Sequence, residues 1–246
     1  MTPRILFAAL AAVSLASCGG GGASGGNSVA AAPVAAKPAP AGQNWTEVVS
    51  KTPEGGYRMG NPDAPIKLVE YGSRTCPTCA KFDIEGMEPL KKNFISTGKV
   101  SYEFREFPVH GALDLAPSLL GTCVEPEAFF PMLDQMMANQ ESFLDKTSSL
   151  PQQQLEAVQD QPGKVATILA EQLGYLDFVK ARGLSESQAR ACLTDPERIK
   201  AFAANGERAT TEFEVSGTPT FVLNGSKIDA NSYQGVSEAL MAAGAR

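Results

Sequence analysis

Cys76 and Cys79 stand three residues apart in Tyr71-Gly72-Ser73-Arg74-Thr75-Cys76-Pro77-Thr78-Cys79. Thiols at this spacing can close into a disulfide or attack one. The apolar run Ile66-Lys67-Leu68-Val69-Glu70 before them reads as a buried strand. After them, apolar groups at Cys79, Phe82, Gly86/Met87, Leu90 and Phe94 recur at threes and fours, which predicts a helix. Cys76 then falls at the helix start, where unpaired N–H groups and the helix dipole favour an anion. A thiol so placed is acidic, and the thiolate is the reacting form. Pro77 suits the first helical position because it lacks the N–H that would be unpaired there. Cys79 lies one turn on, within reach of a mixed disulfide made at Cys76. For these residues alone two other readings stay open, an inert disulfide and half of a zinc site. The chain has a single His and no second CxxC to complete a zinc site, so no metal or other cofactor is expected.

The chain has 246 residues, 43% of them hydrophobic, enough for a sizeable core and one or two domains. Its 21 Lys and Arg against 27 Asp and Glu give a net charge of −6, and with no basic cluster this excludes a nucleic-acid partner. Five cysteines is an odd number, and the N-terminus accounts for one. Arg4 precedes an apolar stretch of twelve residues, Ile5 to Ala16. A membrane-spanning helix needs about twenty, so this reads as a signal peptide over residues 1–17. Leu15-Ala16-Ser17-Cys18 resembles a bacterial lipobox, which implies cleavage before Cys18 and lipidation of its sulfur. An ordinary signal peptide cut nearby is the alternative. Either way the chain is exported to an oxidising compartment where disulfides persist. The expected place is the bacterial cell envelope, facing the periplasm and held to the membrane by lipid. Gly19 follows Cys18, where Asp would resemble the inner-membrane signal of enteric bacteria, and both membranes stay open.

Residues 18–44 are Gly, Ala, Ser and Pro with almost no charge, and read as a flexible tether. Trp45 to Val49 alternates weakly like a strand, Gly55-Gly56 is a turn, and Tyr57-Arg58-Met59 is the return arm. Gly86 and Pro89 predict a bend or break in the helix after Cys79. Val100 to Phe107 alternates with period two and reads as a strand, giving a parallel, right-handed strand–helix–strand unit over 45–112. Residues 113–205 read as helical: Leu113 to Val124, Glu127 to Gln140, Val165 to Leu173, a short helix opened by the capping box Ser185-Glu186-Ser187-Gln188, and another opened by Asp195-Pro196. Phe129, Phe130, Met132, Leu133, Met136 and Met137 make a stripe that fits a core face, or a pliable peptide-binding surface. Residues 206–246 return to strands: Gly217 to Leu223, the hairpin turn Asn224-Gly225, Ser226 to Ile228, then a helix from Ser232 to Ala243. The layout is α/β, a thioredoxin fold with an inserted helical domain.

These features together resemble the DsbA-like thiol oxidoreductases of the bacterial envelope, from about Met59 to the C-terminus. Cys76-Pro77-Thr78-Cys79 matches the CPxC active site of that family, and Gly60 to Pro65 its lead-in loop. Glu70, six residues before Cys76, matches the buried acid under the active site of thioredoxin-like proteins. Gly217-Thr218-Pro219-Thr220-Phe221 is similar to the cis-proline loop facing the cysteines. The resemblance implies disulfide formation on exported proteins, with Cys76 reacting, Cys79 resolving, Glu70 shuttling a proton, and Thr218 and Pro219 binding substrate. It implies a membrane redox partner, a quinone-linked oxidase or an electron donor; the tether is too plain to be a dimerisation domain, so a monomer is expected. The contexts of Cys123 and Cys192 resemble those of a second, non-catalytic disulfide in some members. Strongly oxidising members carry His where this chain has Thr78, which implies an intermediate potential. An isomerase or reductase is the alternative enzyme, and a Cu(I)-handling protein the alternative from another class. Arg74 reads either as positive potential near Cys76 or as a solvated side chain. His110 reads as a loop residue with no catalytic role.

Overall fold

The computed structural model describes residues 31–246. The expected signal peptide and Cys18 lie outside the described residues. Six strands form one sheet: β1 (Val49–Lys51), β2 (Tyr57–Gly60), β3 (Ile66–Gly72), β4 (Val100–Glu106), β5 (Thr220–Leu223) and β6 (Ser226–Ile228), in the order β1-β2-β4-β3-β5-β6. Only β3 and β4 run parallel, in register from Ile66 opposite Val100 to Gly72 opposite Glu106. α1 (Pro77–Asn93) is the crossover between them. β4 departs from the alternating expectation: six of its seven residues are buried, Glu103 and Glu106 among them. A central strand covered on both faces loses its polar side.

α1 runs without the expected break. Gly86 faces α10 (Tyr233–Ala242), where an added Cβ would sit 3.1 Å from Tyr233 Cβ, so its missing side chain serves close packing. Pro89 costs a helix interior about 3 kcal/mol. Burial of Phe82, Met87 and Leu90 on the same helix outweighs that.

The helical insertion comprises α2 (Leu115–Gly121), α3 (Phe129–Ala138), α4 (Gln140–Leu144), α5 (Gln152–Glu156), α6 (Pro162–Leu173), α7 (Tyr175–Lys180) and α8 (Glu186–Thr194). α9 (Pro196–Phe213) continues past residue 205, so the insertion and the returning half share one helix. The insertion has its own core of Leu119, Leu120, Met136, Phe143, Leu169 and Leu173. The α3 stripe is wholly buried, each member at most 5% exposed, and divides between this core and the sheet core. It is core, and the peptide-binding reading of it falls.

Residues 31–43 differ from a free tether. Backbone bonds join Ala31 N to Ala242 O, Val34 N to Gly244 O and Lys37 N to Thr97 O, and Val34 packs on the sheet core. Trp45 Nε1 donates to Lys37 O, closing the strap. A Cβ on Gly98 would lie 2.2 Å from that Lys37 oxygen, so the strap fits only over glycine. Trp45 itself opens a 3-10 turn (Trp45–Glu47), and the strand begins at Val49.

Candidate active site

The site forms where β3 ends and α1 begins. Cys76 caps α1 with extended backbone, and Pro77 holds the first helical position. Thr78 follows in the first turn, exposed, and Cys79 turns inward, 1% exposed. The Thr218–Pro219 bond is cis, and Cys76 Sγ lies 3.2 Å from the Thr218 carbonyl. Glu70 is on β3, 2% exposed, and accepts the Tyr102 hydroxyl at 2.7 Å. Cys76, Cys79, Glu70, Thr218 and Pro219 thus converge. Cys123 and Cys192 lie in the insertion, joined in a disulfide that ties the end of α2 to α8.

The three titrating groups differ sharply. The Cys79 thiol donates to the Cys76 sulfur and lowers its pKa to about 5, against the push of burial. The Thr218 side chain and the N–H groups of Cys79 and Thr78 add to that lowering. The Thr218 hydroxyl is buried with no other partner, which leaves it free to serve the sulfur. Burial pushes the Cys79 thiol far up, and the bond to Cys76 and the Glu70 charge push the same way. Burial also raises Glu70 to about 8, partly opposed by Tyr102. At neutral pH the site therefore holds one thiolate, one thiol and one protonated carboxyl.

The loop under Cys76 is held by residues that sequence reasoning missed or misread. Arg74 is 1% exposed, not solvated. Its Nε donates to Glu106 Oε1 at 2.8 Å, and its guanidinium lies over the Phe129 ring. Burial raises the Glu106 carboxyl, and the Arg74 charge pulls it back. Asp114, fully buried, accepts Ser73 Oγ and Thr75 Oγ1, both at 2.6 Å. Gln140 on α4 donates to the Arg74 carbonyl at 3.1 Å and the Cys76 carbonyl at 3.0 Å. His110 is an exposed loop residue, as read, yet its ring Nδ1 is 2.8 Å from Thr75 Oγ1. Sequence periodicity carries no signal for these contacts, since each partner comes from a different element.

Among the described residues, no group of three or more His, Cys, Asp or Glu is arranged to hold a metal. A groove beside Pro219 is lined by Glu214, Ser216, Thr220, Lys227, Asp229 and Asn231.

A family model described as "Thioredoxin" matches residues 52–242. A Rickettsia bellii protein named "Putative protein-disulfide oxidoreductase" is 28% identical over 194 residues, 79% of this chain and 66% of that protein. The chain thus spans just under two thirds of the length of that relative. Among solved structures, a protein-disulfide isomerase from Novosphingobium aromaticivorans is 28% identical with a TM-score of 0.69, covering 75% of this chain and 95% of that one. Wolbachia pipientis alpha-DsbA1, at 20% identity, a TM-score of 0.61 and coverage of 76% and 89%, shares the fold. With its sheet, crossover helix, helical insertion and CxxC at the helix start, the chain belongs to the thioredoxin family.

Proposed function

We propose that this protein is a DsbA-like thiol:disulfide oxidoreductase that forms disulfides in exported proteins through Cys76 and Cys79. The observation that carries this is the acidic Cys76 thiol at the start of α1, backed by a Cys79 thiol and a Glu70 carboxyl that both keep their protons. In the oxidised protein a client thiolate attacks Cys76 Sγ. The Cys76–Cys79 bond breaks, and Cys79 leaves as a thiolate. Glu70 gives it a proton, which burial makes it hold at neutral pH. A second client thiolate then attacks the client sulfur of the mixed disulfide and releases Cys76 as its stable thiolate. Two electrons pass from client to enzyme, and a membrane redox partner takes them on. The stable thiolate makes Cys76 the better leaving group and drives the sequence forward.

Clients lie along the Thr218–Pro219 loop and pair through main-chain bonds, which suits an enzyme of low side-chain specificity. Thr78 between the cysteines, in place of a cation, sets an intermediate potential. The leader, the lipid on Cys18 and the envelope location complete the reading: the domain acts as a monomer facing the periplasm. The name of the 28% identical isomerase structure favours isomerase or reductase work as the second reading. The test is reactivation of reduced, denatured ribonuclease by the oxidised protein, with insulin reduction run in parallel. Faster ribonuclease reactivation than insulin reduction supports disulfide donation, and the reverse supports the reductase. A Cys76→Ser variant as active as the wild type overturns both.

A further inference from the structure

The loop between β3 and α1 is held by the insertion on two sides. The Ser73 and Thr75 hydroxyls, 3.0 Å from each other, both lie 2.6 Å from Asp114 Oδ1. The Arg74 and Cys76 carbonyls meet a different partner, Gln140 Nε2, at 3.1 and 3.0 Å. A carbonyl can only accept, so the direction of both bonds is fixed: the NH2 end of the Gln140 amide faces the loop and commits both its hydrogens there. Gln140 is 5% exposed and opens α4, and the Met137 sulfur near the end of α3 lies 3.9 Å from its Nε2. Three residues on, Phe143 anchors α4 in the insertion core, stacked on Tyr175 with ring centroids 4.1 Å apart. Among the described residues the Arg74 carbonyl accepts from no other donor. The Cys76 carbonyl also accepts the Ala80 N–H at 3.1 Å, so it carries two donors. Its peptide plane is the one on which α1 starts. Pro77 comes next, with φ locked by its ring and no N–H. Only the Pro77 ψ rotation then separates the plane that Gln140 holds from the Thr78 N–H, which together with the Cys79 N–H bonds to the Cys76 sulfur.

We propose that Gln140 is a positioning residue of the thiol site: by holding the Arg74 and Cys76 carbonyls, it aims the first N–H groups of α1 at the Cys76 sulfur. This rests on Cys76 being the reacting thiol. Gln140 is buried and meets no client, so it acts only through the backbone it holds. The insertion thereby sets the reactivity of a cysteine that belongs to the other half of the fold.

The experiment compares two variants of the whole protein. Gln140→Met keeps the length of the side chain and loses both donors. Gln140→Glu keeps one, because a carboxyl set against two carbonyls holds its proton. The acidity of Cys76, read as its alkylation midpoint, should fall roughly three- to tenfold in Gln140→Met and by less in Gln140→Glu. The equilibrium with glutathione at pH 7 should move toward the disulfide by the same factor, since only the reduced form holds the thiolate. Urea unfolding is measured on the same samples. A loss of stability with the thiol midpoint unmoved is what a merely structural glutamine gives, and it overturns the proposal. Nitrogen-15 NMR of the Gln140 side-chain amide tests the wild type directly. In the reduced protein its two hydrogens should exchange slowly and its signals should move with pH at the Cys76 midpoint, near 5, while in the oxidised protein they stay still. Signals that stay flat through that range in the reduced protein overturn the proposal, whether or not the variants fold. A wild-type Cys76 that alkylates like free cysteine sinks the thiol reading itself, whereas a low midpoint that Gln140→Met leaves in place sinks only this one.

Discussion

Glu70 is a carboxylic acid nearly out of reach of water, set on β3 between Tyr102 and the two thiols. Its folded pKa, about 8, lies above its ordinary value of 4.5, because burial favours the neutral form. The stability this group contributes is therefore full below about pH 4.5 and is lost as pH rises through about 8. Glu70→Gln should match the wild type near pH 4 and exceed it above pH 8 by on the order of 3–5 kcal/mol, read by urea unfolding at the two pH values. The same variant should slow formation of the mixed disulfide by roughly a hundredfold, since the departing Cys79 thiolate loses its proton donor. Cys76 runs the other way. Its folded pKa is lowered from 9.0 to about 5, so thiolate stabilisation of the reduced protein is present above pH 9 and is lost as pH falls through 5. Iodoacetamide should modify Cys76 alone, with a midpoint near 5, and free-cysteine behaviour would refute this environment. These two cysteines were legible because their chemistry is local: a spacing of three, a proline, a helix start. Arg74, Asp114, His110 and Gln140 were not, because the contacts that define them reach across 32 to 66 residues of chain.

At the scale of elements, the loop between β3 and α1 is packed from behind by α2. Gly121 sits against the Arg74 guanidinium, and a Cβ there would lie 2.2 Å from Arg74 Cζ. Gly121→Ala must push that side chain off Glu106, and should cost about 3 kcal/mol in unfolding free energy while raising the Cys76 alkylation midpoint. Arg74→Met leaves Glu106 buried and uncompensated, at about 3–5 kcal/mol, with its partner Ser118 too weak to replace the charge. Elements whose ends carry their own chemistry could be read directly. Ser185 and Gln188 form the full capping box, Asp195 caps α9 ahead of Pro196, and Asn224-Gly225 turns with positive φ at both residues. What failed was reading single residues for breaks. Gly86 and Pro89 suggested a bend, but the helix is set by what it packs against, and α10 comes from the far end of the chain.

On the scale of the molecule, two ties span long stretches of chain. The Cys123–Cys192 bond closes a loop with a sequence separation of 69, and chain entropy gives such a closure about 4 kcal/mol. Replacing both by Ala should lower stability by up to that amount and leave the Cys76 alkylation midpoint in place, measured on the same samples. The second tie is the strap of residues 31–37. Truncation through Lys37 removes its backbone bonds and the packing of Val34, and should lower the melting temperature by roughly 4–8 °C for about 2 kcal/mol, with thiol reactivity unchanged. The strap crosses Thr97 and Gly98 and reaches Asp63, next to Ile66, where β3 starts. The cysteines follow the other end of that strand, about 20 Å away at the usual rise per residue. Residues 31–37 thus lie at the end of β3 opposite the sulfurs. Arg246 is bonded to Lys99 and Ala31 at that same end, so residues 31 and 246 lie on one side. A hold on the domain at Ala31 or at Arg246 leaves the cysteines at the other end of β3, like a lamp hung from its base.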